Sequence, residues 1–243
     1  MRTNNIVVLV RTRDEESRIA KFCQCYRDAD VILVADGGSV DNTKEIAKNF
    51  QNVIVRDYPY RIEMANGYWR NNDSAHVNWL IDWGRQFNPD WLILDDCDCT
   101  PNKLLQQHYR SLLSQVKEDF VLVTRIYFWG CDQHFPNLAK PAEDHKNWEP
   151  SLWAWRGKID FKTVNVPPAF TFRIGDKHID DLRTQASVTD FLPPYALLHR
   201  SWPDPEFVKK KIETYRRSGL IPTMAHPMDF GGPLEKLKWW MKD

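Results

Sequence analysis

Apolar and polar positions alternate between two periods along the first hundred residues. Short unbroken apolar runs at 6–10, 31–35, 53–55 and 91–94 have the length and β-branched content of strands buried on both faces. Between them, 15–26, 42–50 and 72–87 carry apolar residues at helical spacing. In the last, Ala75, Trp79, Leu80, Trp83 and Phe87 form a stripe that reads as core. Strands alternating with helices across short connections predict a mainly parallel, twisted α/β sheet, doubly wound with right-handed crossovers.

After Pro101 the pattern loosens. Residues 104–116 read as a helix and 120–124 as a buried strand, but 127–172 hold ten aromatics among Pro, Gly and charged residues without clean periodicity. Two readings of that stretch stand side by side, an acceptor-facing surface and an irregular aromatic core. A last helix is expected over 205–218, with Asp204 as cap, Pro205 at its first position, Val208, Ile212 and Tyr215 as its stripe and Gly219 as its stop. The tail 234–243 mixes Lys with Trp239, Trp240 and Met241; docking onto the domain is its expected role, with a weak membrane-surface contact as the other use of such a composition.

At 243 residues, 42% hydrophobic and 27% charged, the chain can bury a large core and reads as one domain. Lys+Arg and Asp+Glu both total 33, so no overall field draws it to nucleic acid or to anionic membrane, although a local basic groove stays open. No apolar span has membrane length and the run at 6–10 is too short for a signal sequence, so a cytoplasmic location is expected. Cys23, Cys25, Cys97, Cys99 and Cys131 form no C-x-x-C pair and are odd in number, which argues against a disulfide framework. The two C-x-C pairs lack a complement for zinc, and burial as small hydrophobes is the expected use.

Chemistry concentrates in two segments. Leu92-Ile93-Leu94-Asp95-Asp96-Cys97-Asp98-Cys99-Thr100-Pro101 places three carboxylates within four residues at the end of a strand. They repel one another and need a cation or protons to offset the repulsion. The strand's period of two points Asp96 and Asp98 the same way at its carboxyl edge, toward one hard cation where open α/β sheets bind ligands. The second segment, Val34-Ala35-Asp36-Gly37-Gly38-Ser39-Val40-Asp41-Asn42-Thr43, joins a strand to a helix. Its glycines allow a sharp turn and close approach of a ligand, and Asp41 or Ser39 can cap the helix. Asp36, at the strand's end, has no such capping role and suits hydrogen bonding to a base or ribose.

Together with Arg13-Asp14-Glu15-Glu16 and Trp69-Arg70-Asn71, these segments resemble, in order and spacing, the partial motifs of the inverting family 2 glycosyltransferases of the GT-A fold. The resemblance covers the first hundred residues best. It implies a GT-A-like sheet in a single domain, 1–243, with a nucleotide-sugar-binding half at 1–101, a less regular aromatic-rich acceptor and catalytic half at 102–220, and a tail at 221–243. It implies transfer of a sugar, with inversion, from a nucleotide-sugar donor, a UDP-sugar first among them, to an acceptor hydroxyl that the sequence does not name. By the same resemblance Asp36 reads the base, Thr12 and Arg13 line its pocket, and Arg70 approaches the base or phosphates. Asp96 and Asp98, with His199 of Leu197-Leu198-His199-Arg200-Ser201, hold Mn²⁺ or Mg²⁺, and an imidazole among the ligands favours manganese. Asp181, or else Asp180, of Ile179-Asp180-Asp181-Leu182-Arg183 is the base that takes the acceptor's proton. The chain departs from the family where Gly37 replaces the loop's second Asp, where Asp14 replaces Asn, and where Asp-Asp stands for the common Glu-Asp.

Two other readings compete. Asp96-Cys97-Asp98-Cys99-Thr100 also resembles the nucleophile motif of haloacid-dehalogenase-type magnesium phosphatases, with Asp96 attacking phosphorus, and Gly175-Asp176-Lys177-His178-Ile179-Asp180-Asp181 resembles their late acidic motif. That match leaves Asp36–Thr43 unexplained and needs three βα units ahead of a motif that normally opens its fold. A catalytically silent sugar-nucleotide or carbohydrate-binding module is the third reading. His226, beside Pro227-Met228-Asp229, is a second candidate for the metal, and Glu149 a reserve base; Arg11 and Arg13 face diphosphate or pair with Glu15 and Glu16.

Overall fold

The computed structural model describes residues 4–60, 62–63, 69–70, 73–129, 133–134, 150–166, 169–174, 177–178, 187–200 and 235–236. Four strands form a parallel block: β1 (Ile6–Thr12), β2 (Val31–Asp36), β3 (Val53–Asp57) and β6 (Trp91–Leu94), with β2 and β6 flanking β1 and β3 outside β2. The short β4 (Ile62–Glu63) and β5 (Trp69–Arg70) pair with each other. All five apolar residues 6–10 are buried, as a strand covered on both faces requires. Period two divides them. Ile6, Val8 and Val10 face α1 (Ile19–Cys25) and α4 (Lys103–Gln115), packing with Phe22, Tyr26, Leu105 and Tyr109. Val7 and Leu9 face α3 (Asp73–Arg85) and pack with Val77, Leu80, Ile81 and Trp83. The predicted stripe of α3 is therefore core, and Gly84 shows how close the helix lies: a Cβ there would sit 2.8 Å from Leu9 Cδ2. Each fully buried side chain of this size contributes about 1.5–3 kcal/mol.

The sheet is mixed beyond β6. β10 (Pro150–Arg156) runs antiparallel to β6 and to β8 (Phe120–Trp129) on its other side. β14 (Val188–Phe191) and β15 (Leu197–His199) then extend β8 in parallel, one beside each half of it. Within the aromatic stretch, Trp153 joins one core and Trp155 and Phe161 the other, all fully buried, so for these residues the aromatic-core reading holds. Periodicity failed there because a register shift between Leu152 and Ala154 breaks the alternation of β10 and sends Trp153 and Trp155 to opposite faces. A hairpin of β11 (Phe161–Val166) and β12 (Ala169–Ile174) follows, extended by β13 (Lys177–His178).

Helix limits differ from expectation most at α1, which begins at Ile19 rather than near residue 15, because the amides of Glu15 and Glu16 are taken by side chains of another loop. Asn102 caps α4 by accepting from the Leu105 amide at 3.0 Å, and its Nδ2 donates to Pro194 O at 2.7 Å, tying the helix start to the turn before β15. The four described cysteines are buried, as expected, and no disulfide joins them. Among the described residues no helix is long and apolar enough to cross a membrane. The expected helix at 205–218 and the aromatic tail lie outside the described residues, apart from β16 (Glu235–Lys236), which pairs with β9 (Gln133–His134).

Candidate active site at the carboxyl edge of the sheet

Thr12 ends β1 and Asp36 ends β2, paired in register. Asp36 is fully buried, and its carboxylate organises its own loop: Oδ1 accepts from the amides of Gly38 at 2.9 Å and Ser39 at 2.8 Å, while Oδ2 accepts from Ser39 Oγ at 2.5 Å and Thr12 Oγ1 at 3.3 Å. This corrects the expectation that Asp36 has no local role. It closes an Asx-type turn, and Gly38, at φ 94°, supplies the left-handed residue the turn needs.

The neighbouring turn locks onto that loop through reciprocal bonds. Asp14, itself left-handed at φ 55°, donates from its amide to Ser39 Oγ and accepts at its carboxylate from the Val40 amide. Glu16 donates from its amide to Asp41 and accepts from the amide of Asn42, while the Glu15 amide donates to Thr43 Oγ1 at 2.7 Å. The acids of the 13–16 turn thus brace two loops into one unit. Nothing in their composition signalled that, since the bonds join residues about 25 positions apart.

β6 ends at Leu94, and residues 95–98 turn instead of continuing extended. The period-two argument that put Asp96 and Asp98 on one side therefore fails. Asp96, 42% exposed at its side chain, accepts from Arg11 Nε at 3.4 Å. Asp98, only 15% exposed, lies 3.5 Å from His199 Nε2. The histidine is delivered by pairing: β15 runs antiparallel to β7 (Cys99–Pro101), with His199 opposite Cys99, and the Arg200 amide donates to Asp98 O at 2.6 Å. The family resemblance grouped Asp98 with His199 across about a hundred positions, and in the structure the two side chains are in contact. Among the described residues, however, no group of three His, Cys, Asp or Glu side chains is arranged to hold a metal. A carboxylate and an imidazole in contact remain a donor pair suited to a borderline divalent ion whose other positions are filled by phosphate oxygens and water. The thiols of Cys97 and Cys99 are raised well above their ordinary range by burial.

Asp95 faces inward. Its Oδ2 accepts from Tyr26 Oη at 2.8 Å, its Oδ1 from the Asp96 amide at 3.0 Å, and Tyr26 Oη accepts from Trp153 Nε1 at 3.0 Å. Burial raises the Asp95 carboxyl to about 7, against the opposing pull of the Arg125 charge and the Tyr26 hydroxyl. A chain of buried polar groups therefore runs from α1 and β10 to the base of the turn. Sequence reasoning grouped Asp95 with the other two acids and missed this function, for which it holds no local signal.

His76, in the first turns of α3, is buried and stacks on Tyr58 at 4.2 Å, with Nε2 lacking a hydrogen-bond partner among the described residues. Burial first, then the Arg11 charge, lowers it to about 4. Arg13 is exposed on the 13–16 turn. Trp69 and Arg70 lie in strand β5, three residues short of α3, so the motif that in the resembled family opens the following helix here precedes it. Asp180, Asp181, Glu149 and His226 lie outside the described residues.

No protein-family model matches the sequence, and no curated protein does. Solved structures do. Residues 1–349 of S. aureus TarS superpose with a TM-score of 0.51 at 16% identity, over 87% of this chain and 63% of that one. The same fragment in complex with UDP-GlcNAc gives 0.50 at 12%, over 88% and 66%. Glucosyl-3-phosphoglycerate synthase from Mycobacterium tuberculosis, in complex with Mn²⁺, UDP and glucosyl-3-phosphoglycerate, gives 0.50 at 15%, over 96% and 87%. The fold is GT-A. The chain spans somewhat less than two thirds of the TarS fragment it matches. On this GT-A sheet Asp96 follows the fourth parallel strand in chain order, whereas the phosphatase reading needs its nucleophile near the start of its fold.

Proposed function

We propose that the chain is a nucleotide-sugar-dependent glycosyltransferase, a hexosyltransferase with a UDP-sugar as donor, acting with inversion and with Mn²⁺ or Mg²⁺. The observation that carries this reading is convergence: the Asp36–Thr43 loop, the Asp95–Asp98 turn and His199 meet at the carboxyl edge of one parallel block, where such sheets take nucleotides. The base would lie against the loop backbone that Asp36 holds, with Thr12 and Arg13 beside it and Arg70 toward base or phosphates. Asp36 then acts through the shape of its loop, since its carboxylate is already spent on four bonds. Asp98 and His199, with Asp96 nearby, would hold the divalent ion. When bound, that ion neutralises charge developing on the departing diphosphate. Asp181, or else Asp180, would take the proton of the acceptor hydroxyl as its oxygen attacks the anomeric carbon from the opposite face.

A thermal-shift screen of nucleotides with and without Mn²⁺ tests the reading. Metal-dependent stabilisation by UDP over the other nucleoside diphosphates is expected. Equal response to all nucleotides, or none, sinks it.

A further inference from the structure

Asp96 and Asp98 have different partners, and the difference has consequences for how a cation arrives. Asp98 meets the imidazole of His199 at 3.5 Å, whereas Asp96 meets a guanidinium, that of Arg11, at 3.4 Å. Arg11 sits one residue before the end of β1, on the α3 side of the sheet, so its charge reaches the turn from the middle of the parallel block. His76 lies within reach of the same charge and is held neutral by burial and by it, so it adds no second positive charge there. The ion pair is only partly shielded from water, with side chains 22% and 42% exposed, so it can be exchanged.

We propose that Arg11 stands in for a cation at Asp96, so that a divalent ion binds well only together with a nucleoside diphosphate. Without nucleotide, Arg11 cancels one of the turn's negative charges and leaves Asp98 and His199 as the donor pair among the described residues, two donors being too few to hold a hard cation firmly. A diphosphate carries enough negative charge to draw the guanidinium away from Asp96, by the bidentate pairing that arginine makes with phosphate. Asp96 is then free to face the incoming ion, whose remaining positions the phosphate oxygens fill. Metal and nucleotide each raise the other's affinity, and by linkage the two enhancements are equal. This inference rests on the reading of the edge as a nucleoside-diphosphate site.

Isothermal titration of the full chain tests it with three titrations: Mn²⁺ alone, UDP alone, and UDP in saturating Mn²⁺. Arg11→Met keeps the aliphatic stem and removes the charge. It should bind Mn²⁺ alone about five-fold more tightly than wild type and Mn²⁺-dependent UDP about five-fold more weakly, the size expected for one unit charge acting a few ångströms away through a partly wet surface. Arg11→Lys should resemble wild type toward Mn²⁺ alone. Asp96→Asn, at an exposed position, supplies an independent arm should Arg11→Met not fold. Because it leaves the Arg11 charge unbalanced, that variant should lose about five-fold in affinity for Mn²⁺ alone, and clearly more, about fifty-fold, for Mn²⁺ in the presence of UDP, where Asp96 itself faces the ion. An unchanged or weaker affinity of Arg11→Met for Mn²⁺ alone overturns the inference, as does a loss by Asp96→Asn that is equal with and without UDP. If wild type shows no UDP binding in Mn²⁺, the nucleotide reading itself fails, while the Mn²⁺ titration of Arg11→Met still reports whether Arg11 masks the acid.

Discussion

Tyr26→Phe removes one oxygen from the centre of the buried chain that supports the acidic turn. The hydroxyl accepts from Trp153 Nε1 at 3.0 Å and donates to Asp95 Oδ2 at 2.8 Å, and none of the residue is exposed. Its loss leaves a buried indole N–H without a partner, at a cost of about 1–3 kcal/mol, and removes a bond to Asp95 that contributes about 1 kcal/mol while the acid is neutral. About 2–3 kcal/mol is therefore expected at pH 6. The cost should grow with pH. In the native protein Asp95 is raised from 3.8 to about 7, so it binds more protons folded than unfolded, and its contribution to stability is present at low pH and lost as pH rises toward 7. The Tyr26 bond favours the carboxylate and limits that loss; without it the loss extends to higher pH, adding roughly 1 kcal/mol by pH 8.5. Tyr109→Phe is the control. Tyr109 packs against Tyr26 in the same core, 5.9 Å between rings, and its hydroxyl has no hydrogen-bond partner among the described residues, so its removal should be close to neutral. Urea denaturation of both variants at pH 6 and 8.5 reads the difference. A Tyr26→Phe loss no larger than that of Tyr109→Phe, or one that shrinks with pH, refutes the reasoning.

Asp36→Ala should lower stability by about 3 kcal/mol, or about 6–12 °C in Tm for a chain of this size, because four bonds end on its carboxylate; an unchanged apo Tm would return it to a purely ligand-facing role. His76 is neutral when folded and lowered to about 4, so the stability linked to it is present above pH 6.5 and lost as pH falls toward 4, by up to about 3 kcal/mol. His76→Phe keeps the stack on Tyr58 and should flatten the fall in urea midpoint between pH 6.5 and 4.5 relative to wild type. Asp181→Asn should lower turnover by about two orders of magnitude while sparing UDP affinity, once an acceptor is in hand; a loss at Asp180→Asn alone moves the base by one residue. Beryllium fluoride should trap no acyl-phosphate mimic at Asp96, and an adduct would restore the phosphatase reading.

The fold was legible where one residue type implied one environment. β6 was placed to the residue because Trp91–Leu94 is apolar throughout and bounded by Asp90 and Asp95, and the stripe of α3 followed from its spacing. β10 was illegible for the opposite reason. Trp153 and Trp155 stand two apart, which a regular strand would place on one face, but the register shift between Leu152 and Ala154 sends them to opposite cores, and with a core on each face there is no polar phase to reveal the strand. The early end assigned to α1 failed because Glu15 and Glu16, good helix formers, are held outside the helix by Thr43 and Asp41. Such long-range capping overrides propensity and leaves no local trace.

The same limit governs the site, and it separates two kinds of acid that look alike in the sequence. Asp98 and His199 could be grouped from the motif they resemble, and the pairing of β7 with β15 brings the two segments into contact. Asp36, Asp14 and Glu16 fit the same motif, yet their oxygens are spent on amides of neighbouring loops. A carboxylate at the carboxyl edge of a sheet has both options, since that edge exposes unsatisfied amides as well as ligands. Exposure divides the options here. Asp36 is sealed and must act through the backbone it holds, whereas Asp96, 42% exposed and paired with a single exchangeable guanidinium, is the acid with freedom to change partners when charge arrives.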